Sequence, residues 1–389
     1  MKVLYIHQYF KTPQEGGSIR SHYLAKALVD AGHEVVMITA YNGTKKKHTD
    51  VDGIQVVYLP VSYDNKMTFK RRMLAFLQFS CWACMESMRQ RNIDLCYVMT
   101  TPLTTGLVAL FNKVFLRRPY IFEVGDLWPR VPIDMGLVTA SWQKKILFGA
   151  EQLFYRQAKG LVGLSSPITE HLQAIAPQTL CQTVFNISNC TFFKPETKDP
   201  DLVKKYGVED QLVISYTGTF GYANDLGEIL NWMKAVADLP IRFLLVGDGA
   251  EKEKVRQIIT SQAMGNVTLM DHVPKDQLRE ILNITDAVLI SFLPVPSLHT
   301  GSPNKLFDGL AAGKLIITSF SGWIDELISK HECGGACATP EEFRAFITPF
   351  LSSKDKLNSY QRNARALAEA QFSLDIQSKK WLDLLTQLK

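Results

Sequence analysis

The hydrophobic positions of the chain follow two alternating patterns, a short continuous apolar run and a longer stretch with apolar residues at helical spacing. Residues 2–8 form the first apolar, β-rich run. Loop 11–17 follows, and an amphipathic helix is predicted from about Ser18 to Ala31, stopped by Gly32. Glu34–Thr39 reads as the next strand. That succession is a β-loop-α-β unit, the opening of a doubly wound sheet. Further strands are predicted at 54–58, 94–99, 119–124 and 161–165, with helices filling much of 68–90, 103–115, 141–158 and 167–175.

The pattern then restarts. Strand 212–216 leads into Thr217-Gly218-Thr219-Phe220-Gly221, a helix near 225–237 and strand 242–246. Gly247-Asp248-Gly249 turns into helix 250–263, and strands are predicted near 267–270, 287–291 and 315–319. Asn, Pro, Lys and Asp cluster between 186 and 200, which reads as a hinge. Helices 341–351 and 354–371 close the second half. The last helix, 374–388, carries apolar Leu374, Ile376, Trp381, Leu384 and Leu385 and is a candidate to pack back on the first domain. The expected division is an N-terminal domain over 1–188 and a C-terminal domain over 189–373.

Residues 300–318 carry the densest chemical signal. Ser302 suits an N-cap and Pro303 the first helical position, Gly313 suits a left-handed helix end, and Leu315–Ile317 make a buried strand. A helix start leaves N–H groups unpaired and carries partial positive charge, so it attracts phosphate, and Lys305 adds a full charge. Asn304, Lys305 and Asp308 can share one helix face. A diphosphate at the helix tip, with a ribose against the carboxylate, would suit this arrangement. The bland alternative is an ordinary capped helix feeding a buried strand. Gly309–Lys314 is not a P-loop, since the glycine spacing is short and no Ser or Thr follows the lysine, and neither half shows GxGxxG, which disfavours a nicotinamide dehydrogenase.

At 389 residues two domains are expected, and 46% hydrophobic with 21% charged residues fits a globular chain. No apolar run reaches the length of about 18 residues that suggests a membrane span. The N-terminus turns polar too quickly for a secretory signal and reads as a first strand. Seven cysteines without framework spacing favour a reducing, cytoplasmic setting, and Cys81 with Cys84 is a lone CxxC that reads as packing rather than metal or redox chemistry. Charge is uneven: the net is +8 over residues 1–190 and −3 over 191–389. A basic front half suggests an anionic partner, and no zinc-finger or RNP signature supports nucleic acid. Gly16, Gly17, Asp126, Gly218, Gly247, Gly249 and 300–308 all fall after predicted strands, where facing α/β domains bind ligands.

The segment Ser302-Pro303-Asn304-Lys305-Leu306-Phe307-Asp308-Gly309-Leu310-Ala311-Ala312-Gly313-Lys314 resembles the family 4 retaining glycosyltransferases of GT-B fold. His7-Gln8-Tyr9-Phe10 with Gly16-Gly17, and Glu123-Val124-Gly125-Asp126-Leu127-Trp128-Pro129, resemble the bacterial cell-surface polysaccharide branch. Val246-Gly247-Asp248-Gly249 and Val273-Pro274-Lys275 resemble the family's loops beside the donor nucleotide and its base. The resemblance implies an α/β fold of two facing Rossmann-like doubly wound domains with a cleft between them, the first binding acceptor and the second a nucleotide-sugar. It implies retaining transfer of a sugar, of N-acetylhexosamine type, from a UDP-sugar to a lipid-linked or oligosaccharide acceptor in O-antigen or capsule synthesis, without a metal.

On this reading Asp126 and Lys305 are catalytic. Gly16, Gly17, Gly218, Thr219, Gly247, Gly249, Val273, Thr300, Gly301, Ser302, Asn304, Lys305 and Asp308 bind the donor, and His7, Arg20 and Asp126 lie on the acceptor side. His7 is equally readable as a satisfied buried histidine, and Asp126 as a turn cap. Three departures stand out. Thr300 replaces the first glutamate of the family's pair, whose second place is Asp308. Gly125 replaces a signature arginine. Residues 217–226 hold neither Arg nor Lys, so Lys305, with Arg20 from the other domain, is left to neutralise the diphosphate. A nucleotide-sugar 2-epimerase and a non-catalytic GT-B partner are the alternatives.

The expected partners are the nucleotide-sugar, a polyprenyl-diphosphate-linked saccharide and an anionic inner-membrane surface, placing the chain peripherally on the cytoplasmic face. Lys70-Arg71-Arg72 head Met73, Leu74, Phe76, Leu77, Phe79 and Trp82; Lys113, Arg117 and Arg118 flank Leu110, Phe111, Val114 and Phe115; Lys144 and Lys145 precede Ile146–Phe148. Basic residues beside apolar aromatics suit an anionic bilayer, although core helices with snorkelling charges give the same pattern.

Overall fold

Strands whose residues are apolar at every position must be covered on both faces, and a parallel sheet between helix layers does this. The computed structural model describes residues 1–13, 15, 19–64 and 67–388. The chain divides into two compact units, one of Met1–Phe185, Thr300–Ser302 and Gln377–Lys389, the other of Asn186–His299 and Pro303–Ile376.

In unit 1 the strands are β1 (Lys2–Ile6), β2 (Glu34–Tyr41), β3 (Lys47–Val51), β4 (Ile54–Pro60), β5 (Leu95–Met99), β6 (Tyr120–Val124), β7 (Gly160–Gly163) and β8 (Leu180–Thr183). They form one sheet in the order β3-β4-β2-β1-β5-β6-β7-β8, parallel except for β3 against β4. The helices are α1 (Arg20–Asp30), α2 (Phe69–Arg89), α3 (Thr105–Phe115), α4 (Arg130–Asp134), α5 (Ser141–Gln157) and α6 (Ser166–Ile175). Val3–Ile6 and Leu95–Met99 are buried throughout, as a doubly covered sheet requires.

β3 was not expected. Its Lys-His-Thr-Asp-Val sequence is polar because it lies at the sheet edge, where charge discourages pairing with other chains. The missed signal was Asp52-Gly53, both at positive φ, which is the two-residue hairpin turn joining β3 to β4. The last part of the chain joins unit 1: Trp381 is fully buried with its ring 4.2 Å from that of Tyr97, and Gln377 Oε1 accepts from the Phe185 N–H at 2.8 Å.

Unit 2 contains α7 (Pro200–Tyr206), β9 (Leu212–Thr219), α8 (Leu226–Ala235), β10 (Ile241–Asp248), α9 (Lys252–Ser261), β11 (Val267–Met270), α10 (Lys275–Ile284), β12 (Ala287–Ile290), α11 (Asn304–Ala311), β13 (Leu315–Thr318), α12 (Trp323–Lys330), β14 (Gly334–Ala336), α13 (Pro340–Ser352) and α14 (Lys354–Leu367). α15 (Leu374–Gln387) begins in this unit and ends in unit 1. The six strands are all parallel, in the order β11-β10-β9-β12-β13-β14. That is the doubly wound order 3-2-1-4-5-6, whose reversal falls between β9 and β12.

α4, α7, α10, α12, β8 and β14 were also unexpected. Asp199 caps α7 through its Asp201 N–H, with Pro200 next and Gly207 closing the helix at φ 59°, all legible in sequence. One boundary moved. Pro303, with extended backbone (φ −71°, ψ 132°), is the cap of α11, and Asn304 rather than Pro303 is its first helical residue. The start therefore carries no side-chain cap, and Ser302 stands one residue outside it. Gly313 ends α11 at φ 62° as the spacing predicts.

Candidate functional site

The carboxyl ends of the unit 2 strands gather the donor-side candidates. β9 and β10 run in register to Gly218–Gly247 and Thr219–Asp248, so both glycine turns sit side by side. At Gly247 and Gly249 the space permits no side chain. A Cβ on Gly247 would collide with the Gly218 carbonyl oxygen, and one on Gly249 with the Phe220 carbonyl. The Phe220 N–H donates to Asp248 O at 2.9 Å, the Glu251 N–H donates to Phe220 O at 2.9 Å, and the Tyr216 hydroxyl donates to Thr219 O at 2.7 Å. The end of β9 and the loop after it are thereby held with Gly218 and Thr219 exposed.

Lys305, in the first turn of α11, reaches this loop. Its Nζ lies 3.4 Å from the centroid of the Tyr216 ring and 3.6 Å from the place a Gly218 Cβ would take. Tyr216 is buried and its hydroxyl is used, so it offers the ammonium a ring face. Burial drives the Lys305 ammonium well below its usual range. A cation in the first turn of a helix also opposes the helix dipole, so an incoming anion relieves both penalties. Asp308, one turn on, is pushed up to about 6 by burial, against the opposing pull of Lys275. Lys275 opens α10, with Nζ 5.0 and 5.3 Å from the rings of Phe192 and Phe193. Val273 lies half-buried two residues earlier, and Asn304 is exposed. Gly218, Thr219, Gly247, Gly249, Val273, Asn304, Lys305 and Asp308 thus all belong to the carboxyl-end side of one sheet.

Thr300, Gly301 and Ser302 belong to unit 1 instead, where Thr300 O accepts from the Ser165 hydroxyl at 2.6 Å. Gly16 and Gly17 lie outside the described residues.

In unit 1 the order also reverses, between β1 and β5. His7 follows β1 but is 3% exposed, paired with Ser21 Oγ at 2.7 Å, and pushed down to about 3 first by burial and then by Arg20. It is a neutral interior histidine. Arg20 is a correction. Its guanidinium is 2% exposed and forked onto Glu123, Nε to Oε1 at 3.0 Å and Nη2 to Oε2 at 3.2 Å, with Nη1 donating to Phe185 O. The buried carboxylate of β6 claims it, so it is not a diphosphate ligand. The Tyr97 hydroxyl donates to the same Glu123.

Asp126, beyond β6, is reachable by solvent and receives a 3.4 Å hydrogen bond from Thr101 Oγ1. Desolvation by the surrounding protein raises its carboxyl, with the Thr101 bond opposing. The Gly125 N–H donates to Thr100 Oγ1 at 3.2 Å, which fixes the turn. A side chain at Gly125 would meet only ordinary contacts, so space alone does not explain the glycine there. Among the described residues, no three His, Cys, Asp or Glu lie together as a metal site. Cys84, pushed up to about 11 by burial, stays a thiol at neutral pH.

Sequence reading assigned no role to Tyr216 or to the Lys275 side chain. The available signal for Lys275 was a lysine at a helix start, the same mismatch with the dipole that marks Lys305.

A family model described as a glycosyl transferase 4-like domain matches residues 15–180, and one for glycosyl transferases group 1 matches residues 211–352. No curated protein sequence matches the chain. Among solved structures it is similar to sucrose-phosphate synthase from Thermosynechococcus elongatus (17% identity, 100% of this chain and 98% of that one, TM-score 0.78). It is similar to HepE of Anabaena in complex with UDP and glucose (16% identity, 100% of both chains, TM-score 0.73). It also resembles WaaG, a glycosyltransferase involved in lipopolysaccharide biosynthesis (14% identity, 99% of this chain and 100% of that one, TM-score 0.68). At such identities these likenesses establish the fold, which is GT-B. The chain belongs to the family 4 glycosyltransferases and is a glycosyltransferase.

Proposed function

We propose that this glycosyltransferase moves a sugar from a UDP-sugar to a polyprenyl-diphosphate-linked saccharide, with retention of anomeric configuration and without a metal ion. The observation that carries the reading is Lys305, poised at the start of α11 against Tyr216 and Gly218. As UDP departs, negative charge grows on the diphosphate oxygens. A desolvated lysine and unpaired helix N–H groups, already in place, stabilise that charge with little reorganisation. Asp308 as carboxylate accepts the ribose hydroxyls. The backbone turns at Gly218 and Gly247 admit the phosphates closely because no Cβ intervenes. Asp126 is assigned the acceptor hydroxyl, which its carboxyl, raised by desolvation, is placed to polarise. Same-face attack, with the leaving phosphate taking the acceptor proton, gives retention.

HepE bound to UDP and to UDP-glucose supports the choice of donor class. An N-acetylhexosamine is the proposed sugar, and bacterial surface polysaccharide synthesis, O-antigen or capsule, at the inner face of the membrane is the proposed setting. The test is calorimetric titration with UDP, GDP and TDP, followed by incubation of UDP-N-acetylglucosamine and UDP-glucose with and without a polyprenyl-diphosphate-linked acceptor. UDP binding and acceptor-dependent transfer are expected. Conversion of the donor sugar in the absence of acceptor would point to an epimerase. Preference for GDP would overturn the donor reading.

A further inference from the structure

Three helices of unit 1 leave an unusual outer surface. α2 packs beside α3, and α3 beside α5. Their inner sides enter the core through Phe79, Ala83, Val108, Ala109, Phe154 and Tyr155. Their outer sides are apolar as well. Leu74 is 67% exposed, Phe115 72%, Trp142 65% and Ile146 61%. Leu77, Met85 and Met88 continue the stripe along α2, Leu107 and Val114 along α3, and Leu153 along α5.

Charge on the same helices is one-sided. α2 carries Lys70, Arg71, Arg72 and Arg89, α3 carries Lys113, and α5 carries Lys144, Lys145 and Arg156. Their only carboxylates are Glu86 and Glu151, each 1% exposed and already bound, Glu86 to Lys46 and Arg89 and Glu151 to His171. The outer surface therefore presents cations and large apolar side chains with no exposed carboxylate among the helical residues. Large apolar groups in such number are not left in water without a partner. No described helix is long and apolar enough to cross a bilayer, so the surface is suited to lying on one.

We propose that the α2–α3–α5 surface docks on a bilayer containing anionic phospholipid, inserting Leu74, Phe115, Trp142 and Ile146 while Lys70, Arg71, Lys144 and Lys145 meet the headgroups. The proposal specifies how the enzyme meets its substrate and rests on the reading of a lipid-linked acceptor. Charge complementarity favours the bilayer over a second copy of the chain, since two such cationic faces would repel.

The test is co-sedimentation of the full chain with phosphatidylcholine vesicles containing no or 30% phosphatidylglycerol (about that fraction), at low and high salt, with UDP binding measured on every variant. The expected result is partition onto anionic vesicles that weakens with salt. Phe115→Glu combined with Ile146→Glu should lower it about tenfold or more, and Lys144→Gln with Lys145→Gln about tenfold. UDP affinity, circular dichroism and the melting temperature should be unchanged in both variants, which shows that both units are folded. Failure of the wild-type chain to sediment, or double-Glu substitution without effect, would overturn the proposal while UDP binding leaves the enzyme reading intact. A dimer in solution that Phe115→Glu dissociates would also overturn it and assign the surface to a second copy. Loss of UDP binding by the wild-type chain would instead defeat the functional reading.

Discussion

Lys305 and Asp308 share one turn of helix but are displaced in opposite senses by the same cause, removal from water. Replacing Lys305 with Ala should reduce transfer about 100- to 1000-fold, the effect of losing one preplaced charge-stabilising donor, and should raise the UDP dissociation constant in calorimetry. Asp308, displaced upward to about 6, gives a pH signature. If its carboxylate holds the ribose, UDP affinity falls as pH drops through about 6, and Asp308→Asn binds weakly but loses that dependence. The stability sign is opposite. A carboxyl raised in the folded state favours folding below its unfolded value near 3.8 and loses that contribution as pH rises through about 6. Asp308→Asn should therefore be more stable than wild type at pH 8 by about 1 kcal/mol, a figure reduced for its partial exposure, with little difference at pH 4. Denaturant melts at the two pH values measure this. Both side chains were legible in sequence because spacing on one helix face needs no tertiary information. Arg20 was misjudged because its partner Glu123 lies 103 positions away, and a pair at that separation leaves no local trace.

Elements succeeded or failed by whether their signal was local. Most strands of the two sheets announced themselves as apolar runs, since burial on two faces imposes it, whereas β8 (Leu-Cys-Gln-Thr) and β14 (Gly-Gly-Ala), at the sheet edges, carried no such run. Nor did β3, because an edge strand pairs through its backbone and keeps polar side chains. The paired glycine turns at the ends of β9 and β10 are an element-level constraint. Gly247→Ala drives a methyl into the Gly218 carbonyl and should cost about 3 kcal/mol or more, read as a lowered urea midpoint, with donor binding impaired in the folded remainder. Gly265→Ala, where an added Cβ meets nothing within 4 Å, is the control and should be nearly silent.

Across the whole molecule, each half repeats one doubly wound plan, and the chain ends by returning to the first unit. Trp381→Ala should destabilise by about 3–5 kcal/mol through the cavity left beside Tyr97, without changing UDP affinity in the folded protein. Glu123→Gln leaves the buried Arg20 charge without its counter-ion and should cost about 3–5 kcal/mol, checked by thermal melting. The linear order of residues by itself determined the fold class, the restart of the pattern near residue 212 and the helix bearing Lys305 and Asp308, because hydrophobic period, capping and turn chemistry act over a few neighbours. Only the tertiary structure decided that Arg20 and His7 are interior groups, that Lys305 rests on Tyr216, that the charge of Lys275 acts on Asp308, and that α2, α3 and α5 leave apolar side chains in water. Desolvation, ion pairing and exposure depend on which distant segments surround a residue, and no local pattern encodes that.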